Sequence, residues 1–204
     1  MFYQSRDGHV CEISGQWTSA PGTHLGWDLE WLKWDDLTAT VGGNPGYATS
    51  LTSFIDAYGA HVTFIGSDQH VYQYWYDIGA SKWQPVKDLG SGPALSWSPL
   101  TSFADDSGEY IFYAGCVSCD IFLEYPHVHQ LSFISGLPWT DIDLTKAVHG
   151  PDVDLYITPL TAYSEGSLRH AFYVGEYDCH VHQNLGSFDQ DLTPSLQCGD
   201  DNLP

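Results

Sequence analysis

A short motif recurs four times along the chain and constrains its fold more than any other feature. The motif is His-Val-x-Gln/Glu, and its copies begin at His9, His70, His127 and His180. An Asp-Leu-Thr/Gly marker follows each copy, beginning at Asp36, Asp88, Asp143 and Asp191. Consecutive copies of the motif lie 61, 57 and 53 residues apart. Self-similarity at such intervals indicates that the chain is built from repeated structural units.

Each repeat has the composition of a set of β-strands. Segments 61–66 and 70–75 are short, rich in β-branched and aromatic residues, and bounded by Gly, Asp or Ser. The intervening Ser67-Asp68-Gln69 is typical of a hairpin turn. Four antiparallel strands in a repeat of roughly 50 residues are typical of a propeller blade. We therefore predict an all-β fold, a β-propeller of four blades with four antiparallel strands in each.

The repeats predict one domain that spans the whole chain. We place a single β-propeller domain over 1–204, with repeats at roughly 1–45, 46–95, 96–150 and 151–204. Residues 1–38 contain the second, third and fourth strands of a blade, but no Leu-Thr-Ser-Phe strand precedes them. We expect the segment near 195–198 to supply that strand, so that both termini close the ring in one blade and remove exposed edges. A strand borrowed from another subunit is the alternative, which leaves a homo-oligomer open.

The charge of the chain excludes several classes of partner. It has 6 Lys or Arg against 26 Asp or Glu, a formal net charge of -20. That charge repels phosphate backbones and anionic lipid heads, so we expect neither nucleic-acid binding nor membrane insertion. No apolar run approaches the roughly 18 residues of a spanning helix. The N-terminus lacks the basic start and apolar stretch of a signal peptide, so we expect a cytoplasmic protein, or one secreted without a classical signal.

The order of the markers resembles the repeats of the fungal fucose-specific lectin family, which are six-bladed propellers, and related bacterial and fungal His-Val-x-Glu…Asp-Leu-Thr repeat proteins. The second repeat carries the resemblance in 51–54, 61–64, 70–73 and Trp83. The resemblance implies sugar binding between blades by an Arg, a Glu and aromatic rings. At the Arg position this sequence has His61, Tyr110 and His170, and at the Glu position it has Glu12, Gln73, Gln130 and Gln183. No repeat keeps the Arg and the Glu together, which leaves another set of hydrogen-bonding side chains for a sugar.

The repeats supply the side chains that a neutral sugar requires. Such a ligand needs a flat ring to stack on and groups that both donate and accept hydrogen bonds. We predict four sets of carbohydrate-binding residues, one in each repeat: Glu12 with Trp34, Gln73 with His61 and Trp83, Gln130 with Tyr110 and Trp139, and Gln183 with His170. Several weak sites on one scaffold would gain from avidity, so we expect a multivalent protein. In the alternative interpretation, His-Val-x-Gln holds adjacent loops together and the Trp residues pack between blades.

Other chemistry has weaker support in the sequence. His127-x-His129 and His180-x-His182 each place two rings on one strand face, but neither pair has an obvious third ligand. The lone Cys116-Val-Ser-Cys119 indicates a local disulfide or two free thiols. Nucleophile-elbow, P-loop and His-Glu-x-x-His motifs are absent from the sequence. We therefore predict no catalytic residue, metal or cofactor.

The resulting functional hypothesis is a lectin that binds glycans or glycoproteins and is not an enzyme. The alternative is a non-catalytic protein-interaction or structural propeller without a sugar site. A third option is a hydrolase that uses acidic residues. Propellers serve in all these roles, so the fold alone does not decide among them.

Overall fold

The computed structural model describes residues 1–19, 27–47, 49–90, 94–116, 126–154, 159–176, 180–185 and 189–193, with only the backbone described at 16–19 and 27–33. Within these residues the fold is all-β. The strands form four antiparallel sheets that follow one another along the chain. Two short helices accompany them.

The first sheet contains three described strands. They are β1 (Phe2–Gln4), β2 (Val10–Ser19) and β3 (Trp27–Asp36), in the order β1-β2-β3. β1 and β2 are joined by a tight turn in which the Gly8 N–H donates to the Ser5 carbonyl at 3.0 Å. These are the three strands predicted for residues 1–38. The segment near 195–198, predicted to complete this sheet, lies outside the described residues.

The other three sheets confirm the four-strand repeat. The second sheet consists of β4 (Leu51–Ile55), β5 (Gly59–Ile65), β6 (Val71–Asp77), β7 (Lys82–Trp83) and β8 (Lys87–Asp88). The third consists of β9 (Leu100–Asp105), β10 (Gly108–Gly115), β11 (His127–Phe133) and β12 (Thr140–Asp143). The fourth consists of β13 (Thr161–Glu165), β14 (Leu168–Val174), β15 (Val181–Asn184) and β16 (Asp189–Asp191). β7 and β8 both pair with β6, so together they take the place of a fourth strand.

The apolar core lies at the junctions between consecutive sheets. One cluster, which includes Val10, Val62 and Phe64, joins the first sheet to the second. Equivalent clusters centred on Ile111 and Ala171 join the second sheet to the third and the third to the fourth. Fully burying an aliphatic or aromatic side chain of this size contributes about 1.5–3 kcal/mol. The junctions therefore fix how adjacent sheets face each other, which also positions the polar residues at their rims.

The motif histidines link the strand that begins at each His-Val motif (β2, β6, β11 and β15) to the chain that follows it. In all four repeats the leading His Nδ1 pairs with the Asp of the Asp-Leu-Thr/Gly marker. The pairs are His9–Asp36 at 2.6 Å, His70–Asp88 at 2.9 Å, His127–Asp143 at 2.7 Å and His180–Asp191 at 2.7 Å. We call these four pairs the His–Asp fasteners. The architectural interpretation therefore holds for the leading His.

The Asp-Leu-Thr marker also precedes two short helices, which were not predicted from the sequence. α1 (Leu37–Val41) and α2 (Leu144–Val148) begin directly after Asp36 and Asp143, whose Oδ1 atoms accept the backbone N–H of Ala39 and Lys146. The marker Thr also contributes, since Thr145 Oγ1 accepts the buried Val128 N–H at 2.8 Å. Among the described residues, no helix is long and apolar enough to cross a membrane.

Candidate functional site

A cleft of about 570 Å³ opens between the second and third sheets. Its size falls in the range typical of small-molecule sites. We call it the open cleft, and the residues that matter here are His61, Gln73, Trp75, Glu109, Phe133 and Trp139. A neighbouring cavity of about 410 Å³ shares Glu109 and Phe133 with it.

His61 is the most constrained polar residue of the open cleft. It lies on β5, is 3% exposed, and stacks on Phe54 with ring centroids 4.6 Å apart. Its Nε2 lies 3.2 Å from Asp56 Oδ1, which also accepts the backbone N–H groups of Tyr58 and Gly59. Because Asp56 accepts the Nε2 proton, Nδ1 carries the lone pair in the neutral ring. Among the described residues Nδ1 is buried and has no hydrogen-bond partner.

Glu109 brings a buried carboxylate to the same place from the third sheet. It lies on β10, and its side chain is 12% exposed. Its Oε2 accepts a hydrogen bond from Gln73 Nε2 at 3.2 Å and lies 3.6 Å from His61 Nδ1. Burial raises the pKa of Glu109, although nearby His61 and the Gln73 hydrogen bond act in the opposite direction. The cleft therefore contains a carboxylate acceptor that is only partly compensated by its neighbours.

Aromatic rings form the remaining walls of the open cleft. Phe133 and Trp139 pack together with ring centroids 5.6 Å apart, and Lys87 Nζ lies over both rings at 5.3 and 5.7 Å. The indole Nε1 atoms of Trp75 and Trp139 are buried and have no hydrogen-bond partner among the described residues. The cleft thus combines flat apolar faces with unused donors, a lone-pair acceptor and a carboxylate.

The equivalent cleft between the third and fourth sheets is filled by the chain itself. Arg169, on β14, occupies the repeat position of Glu109. Its Nη2 donates to Tyr110 Oη at 2.6 Å and to Ser107 Oγ at 2.9 Å, and its guanidinium lies 4.0 Å over the Tyr110 ring. We call this the filled cleft. A groove of about 480 Å³ remains at its outer edge, lined by loop residues that include Asp105 and Gly166.

The predicted site residues are distributed over all the sheet junctions. His61 and Gln73, predicted to act with Trp83, lie together in the open cleft with Trp139, which was predicted to act with Gln130 and Tyr110. Trp83 Nε1 instead donates to Glu12 Oε2 at 3.1 Å across the first junction, where its ring meets Phe2 edge-on. The predicted partner of Glu12, Trp34, is 58% exposed.

The predicted residues of the later repeats serve mainly as internal contacts. Tyr110 lies under Arg169, and Gln130 is buried on β11. His170 stacks on Tyr163 with centroids 4.6 Å apart and pairs with Gln183. The two side chains predicted to act together in the fourth repeat are therefore in contact.

The paired histidines and the cysteine motif also have structural partners. In the His127-x-His129 pair each Nδ1 has its own carboxylate, Asp143 for His127 and Asp141 for His129. His180 and His182 are likewise paired with Asp191 and Asp189. Cys116 is disulfide-bonded, and Cys119 lies outside the described residues.

The sequence analysis did not predict four residues of the open cleft and its rim: Asp56, Trp75, Glu109 and Phe133. Trp75 lies two residues beyond the motif glutamine, Gln73, so its strand position was recognisable from the sequence. Glu109 could not be recognised from the repeats, because the equivalent residues in the neighbouring sheets are Ala60 and Arg169.

Comparisons with known proteins give little further information. No family model matches the chain, and none of the curated proteins does. Among solved structures it is similar to a glycosyl hydrolase from Bacteroides ovatus, with a TM-score of 0.39 and 12% sequence identity. That similarity covers 100% of this chain and 66% of the hydrolase chain. A likeness this low decides neither the fold nor the activity of the present chain.

Proposed function

We propose that this protein is a carbohydrate-binding lectin that binds glycans or glycoproteins through the open cleft. The observation that carries the proposal is the set of unused polar atoms around that cleft. His61 Nδ1 and the Nε1 atoms of Trp75 and Trp139 are buried without hydrogen-bond partners among the described residues. Since leaving a buried polar group unpaired costs about 1–3 kcal/mol, a polyhydroxylated ligand would recover that free energy.

We also propose that the four sheets are the blades of a β-propeller whose ring is closed by N- and C-terminal strands in one blade. The first strands of the second, third and fourth sheets, β4, β9 and β13, lie side by side, and β1 contacts β4. Such an arrangement is expected of blades around a common axis. In this arrangement the open cleft is a site between two blades.

The chemistry of the open cleft suits a neutral sugar. The C–H face of the ring would stack on Trp139 or Trp75, because aromatic rings offer flat apolar surfaces. Sugar hydroxyls would donate to His61 Nδ1 and Glu109 and accept from the indole N–H groups, because a hydroxyl serves both roles. Arg169 occupies the corresponding position in the filled cleft, so we place one main site within the described part of the chain, and multivalent binding then requires more than one chain.

A glycan array with the labelled protein tests the proposal, run with and without a chelator. We expect binding to a coherent set of sugars that free sugar competes away. Gln73→Ala should weaken binding about tenfold, because losing one hydrogen bond to the carboxylate that orients the ligand is worth roughly 1.4 kcal/mol. Gln183→Ala, the same change in the fourth sheet, is the matched control and should bind as the wild type does.

Two outcomes count against the proposal. If well-folded protein binds no glycan on the array, the proposal is wrong, and the repeats would then serve as a scaffold for a protein partner. Equal weakening by Gln73→Ala and Gln183→Ala would place the sugar elsewhere than in the open cleft.

A further inference from the structure

Three potential metal ligands meet at the rim of the open cleft. Asp56, His61 and Glu109 each offer one ligand atom, and these atoms lie within 4.8 Å of one another. Asp56 lies in the turn between β4 and β5 and His61 lies on β5, whereas Glu109 comes from β10 of the third sheet. The group therefore depends on how two sheets pack, and neither repeat contains it alone.

The geometry of His61 is that of a metal ligand held by a carboxylate. Asp56 Oδ1 accepts from Nε2 at 3.2 Å and so directs the Nδ1 lone pair away from itself. Metal-binding histidines typically donate their other ring N–H to such a carboxylate, which fixes the tautomer and makes the ligand nitrogen more basic. Stacking on Phe54 at 4.6 Å, with an interplanar angle of 7°, further restricts the ring.

The distance between His61 and Glu109 leaves room for an ion between them. Nδ1 lies 3.6 Å from Glu109 Oε2, which is too long for a hydrogen bond. Two ligands at about 2.1 Å from a tetrahedral ion are separated by about 3.4 Å. A lone-pair nitrogen and a carboxylate oxygen that face each other in a buried place repel unless a proton on Nδ1 or a metal ion supplies a positive charge, and at 3.6 Å a proton would not complete a hydrogen bond.

We propose that His61 Nδ1 and the Glu109 carboxylate bind a divalent transition-metal ion, with Asp56 as the residue that positions His61. An imidazole combined with a carboxylate favours zinc-like ions over calcium or magnesium, which prefer sites made of oxygen alone. The net charge of -20 raises the local concentration of cations around the protein. With the ion bound, water would complete the coordination shell, and sugar hydroxyls would reach the ion in place of the His61 Nδ1 lone pair.

Direct titration tests the site without any sugar. Protein stripped with a chelator is titrated with Zn²⁺ by calorimetry and with Co²⁺ by visible absorption, and Ca²⁺ is added as a competitor. We expect a Zn²⁺ site with one ion per chain that millimolar Ca²⁺ does not displace. Glu109→Gln, which preserves the size of the side chain, should weaken Zn²⁺ binding at least about tenfold, and Asp56→Asn about tenfold.

Matched variants in the fourth sheet control for the other histidines. His170 and Glu165 hold the repeat positions of His61 and Asp56, so His170→Gln and Glu165→Gln should leave the affinity for Zn²⁺ unchanged. His61→Gln should remove the site. If that variant fails to fold, Glu109→Gln and Asp56→Asn decide the question, with circular dichroism as the check on folding.

The inference is overturned if Zn²⁺ does not bind to the wild type, if Ca²⁺ displaces it, or if Glu109→Gln binds as the wild type does. It is also overturned if His170→Gln weakens binding as much as the open-cleft variants do. The metal titration contains no sugar and the chelator arm of the glycan array contains no metal. Failure of either proposal is therefore visible without the other.

Discussion

The open and filled clefts share the same frame, by which we mean the strands of the sheets and the contacts that hold them together, but different side chains line the two clefts. Both lie between consecutive four-stranded sheets, and in both a polar or aromatic residue of the second strand, His61 or Tyr110, faces the next sheet. The next sheet presents Glu109 to His61 but Arg169 to Tyr110. Differences at two repeat positions, His61 against Tyr110 and Glu109 against Arg169, thus separate the open cleft from the one that the Arg169 side chain fills.

Arg169 shows what a ligand of the open cleft has to supply. Its guanidinium covers the ring of Tyr110 and donates to Tyr110 Oη and Ser107 Oγ. One side chain therefore combines stacking with hydrogen bonds, which is what we expect of a sugar over Trp75 or Trp139. The comparison indicates that the frame sets where a cleft lies, and that its lining decides whether a ligand can enter.

The substitution Glu109→Arg should have the largest effect, because it gives the open cleft the residue of the filled one. The arginine replaces the carboxylate acceptor and occupies the space beside His61. A hydrogen bond to a charged group contributes about 1.5–3 kcal/mol, so we expect sugar affinity to fall about 100-fold. Calorimetry with the best sugar from the array measures this effect.

Glu165→Arg provides the control for added positive charge. Glu165 is 78% exposed in the fourth sheet, away from the open cleft. Its replacement should leave sugar affinity within about twofold, since exposed substitutions of this kind have small effects. Sugar binding that survives in Glu109→Arg would contradict the role given to the open cleft.

The strands of the frame were predictable from the sequence, because strand composition and turn residues can be recognised within short segments. Segments 61–66 and 70–75 show strand composition around a turn, and both are largely strand in the structure, within β5 and β6. The His–Asp fasteners were not predicted, although both of their markers were recognised. The partners lie between 11 and 27 residues apart, and only the register between the motif strand and the strand after it brings them together.

The side chains that line the open cleft were less predictable, because they come together only where two repeats pack against each other. His61 and Gln73 belong to the repeat motifs, and the sequence placed them in one site. Glu109 comes from the next repeat and has no similar residue at the same position in the others. Its proximity to His61 follows from the apolar contacts of the second junction, which no pattern within a single repeat specifies.

Thr145→Val should produce the next largest effect, a loss of stability of the strand framework that both clefts share. Thr145 is 1% exposed and accepts the Val128 N–H at 2.8 Å, so valine leaves a buried donor unpaired. We expect the free energy of unfolding to fall by about 1–3 kcal/mol in urea denaturation. Thr161→Val, at an exposed position on β13, is the control and should change it by less than about 0.5 kcal/mol. Equal effects at the two positions would contradict the role of Thr145.

Arg169→Ala tests whether the two clefts are independent. The variant loses the contact with the Tyr110 ring and its hydrogen bonds, and Arg169 is partly exposed. We expect the free energy of unfolding to fall by about 1 kcal/mol, with sugar affinity at the open cleft unchanged. Arg6→Ala, at an exposed turn, controls for lost charge. If Arg169→Ala weakened sugar binding as much as Glu109→Arg, the clefts would be coupled.

The smallest expected effect is the pH dependence of two of the His–Asp fasteners, His9–Asp36 and His70–Asp88. Hydrogen bonds to Asp36 and Asp88 raise the pKa values of His9 and His70 above 6.5. A raised histidine pKa stabilises the fold below about pH 6.5, and the contribution is lost as the pH rises through the folded value. For Asp36, burial acts to raise the pKa, but the His9 and Ala39 hydrogen bonds outweigh it and hold the value below 3.8.

The aspartate contribution has the opposite sign. It is present above about pH 4 and is lost as the pH falls through the lowered value of Asp36, so both partners contribute together between about pH 4 and 6.5. We expect thermal stability to be greatest in that window and to decline modestly above it. Added salt should flatten the decline, because these pairs are partly exposed to solvent. His70→Gln should remove part of the decline above pH 6.5, whereas a decline unchanged in that variant would show that the fasteners hold the frame without their charge.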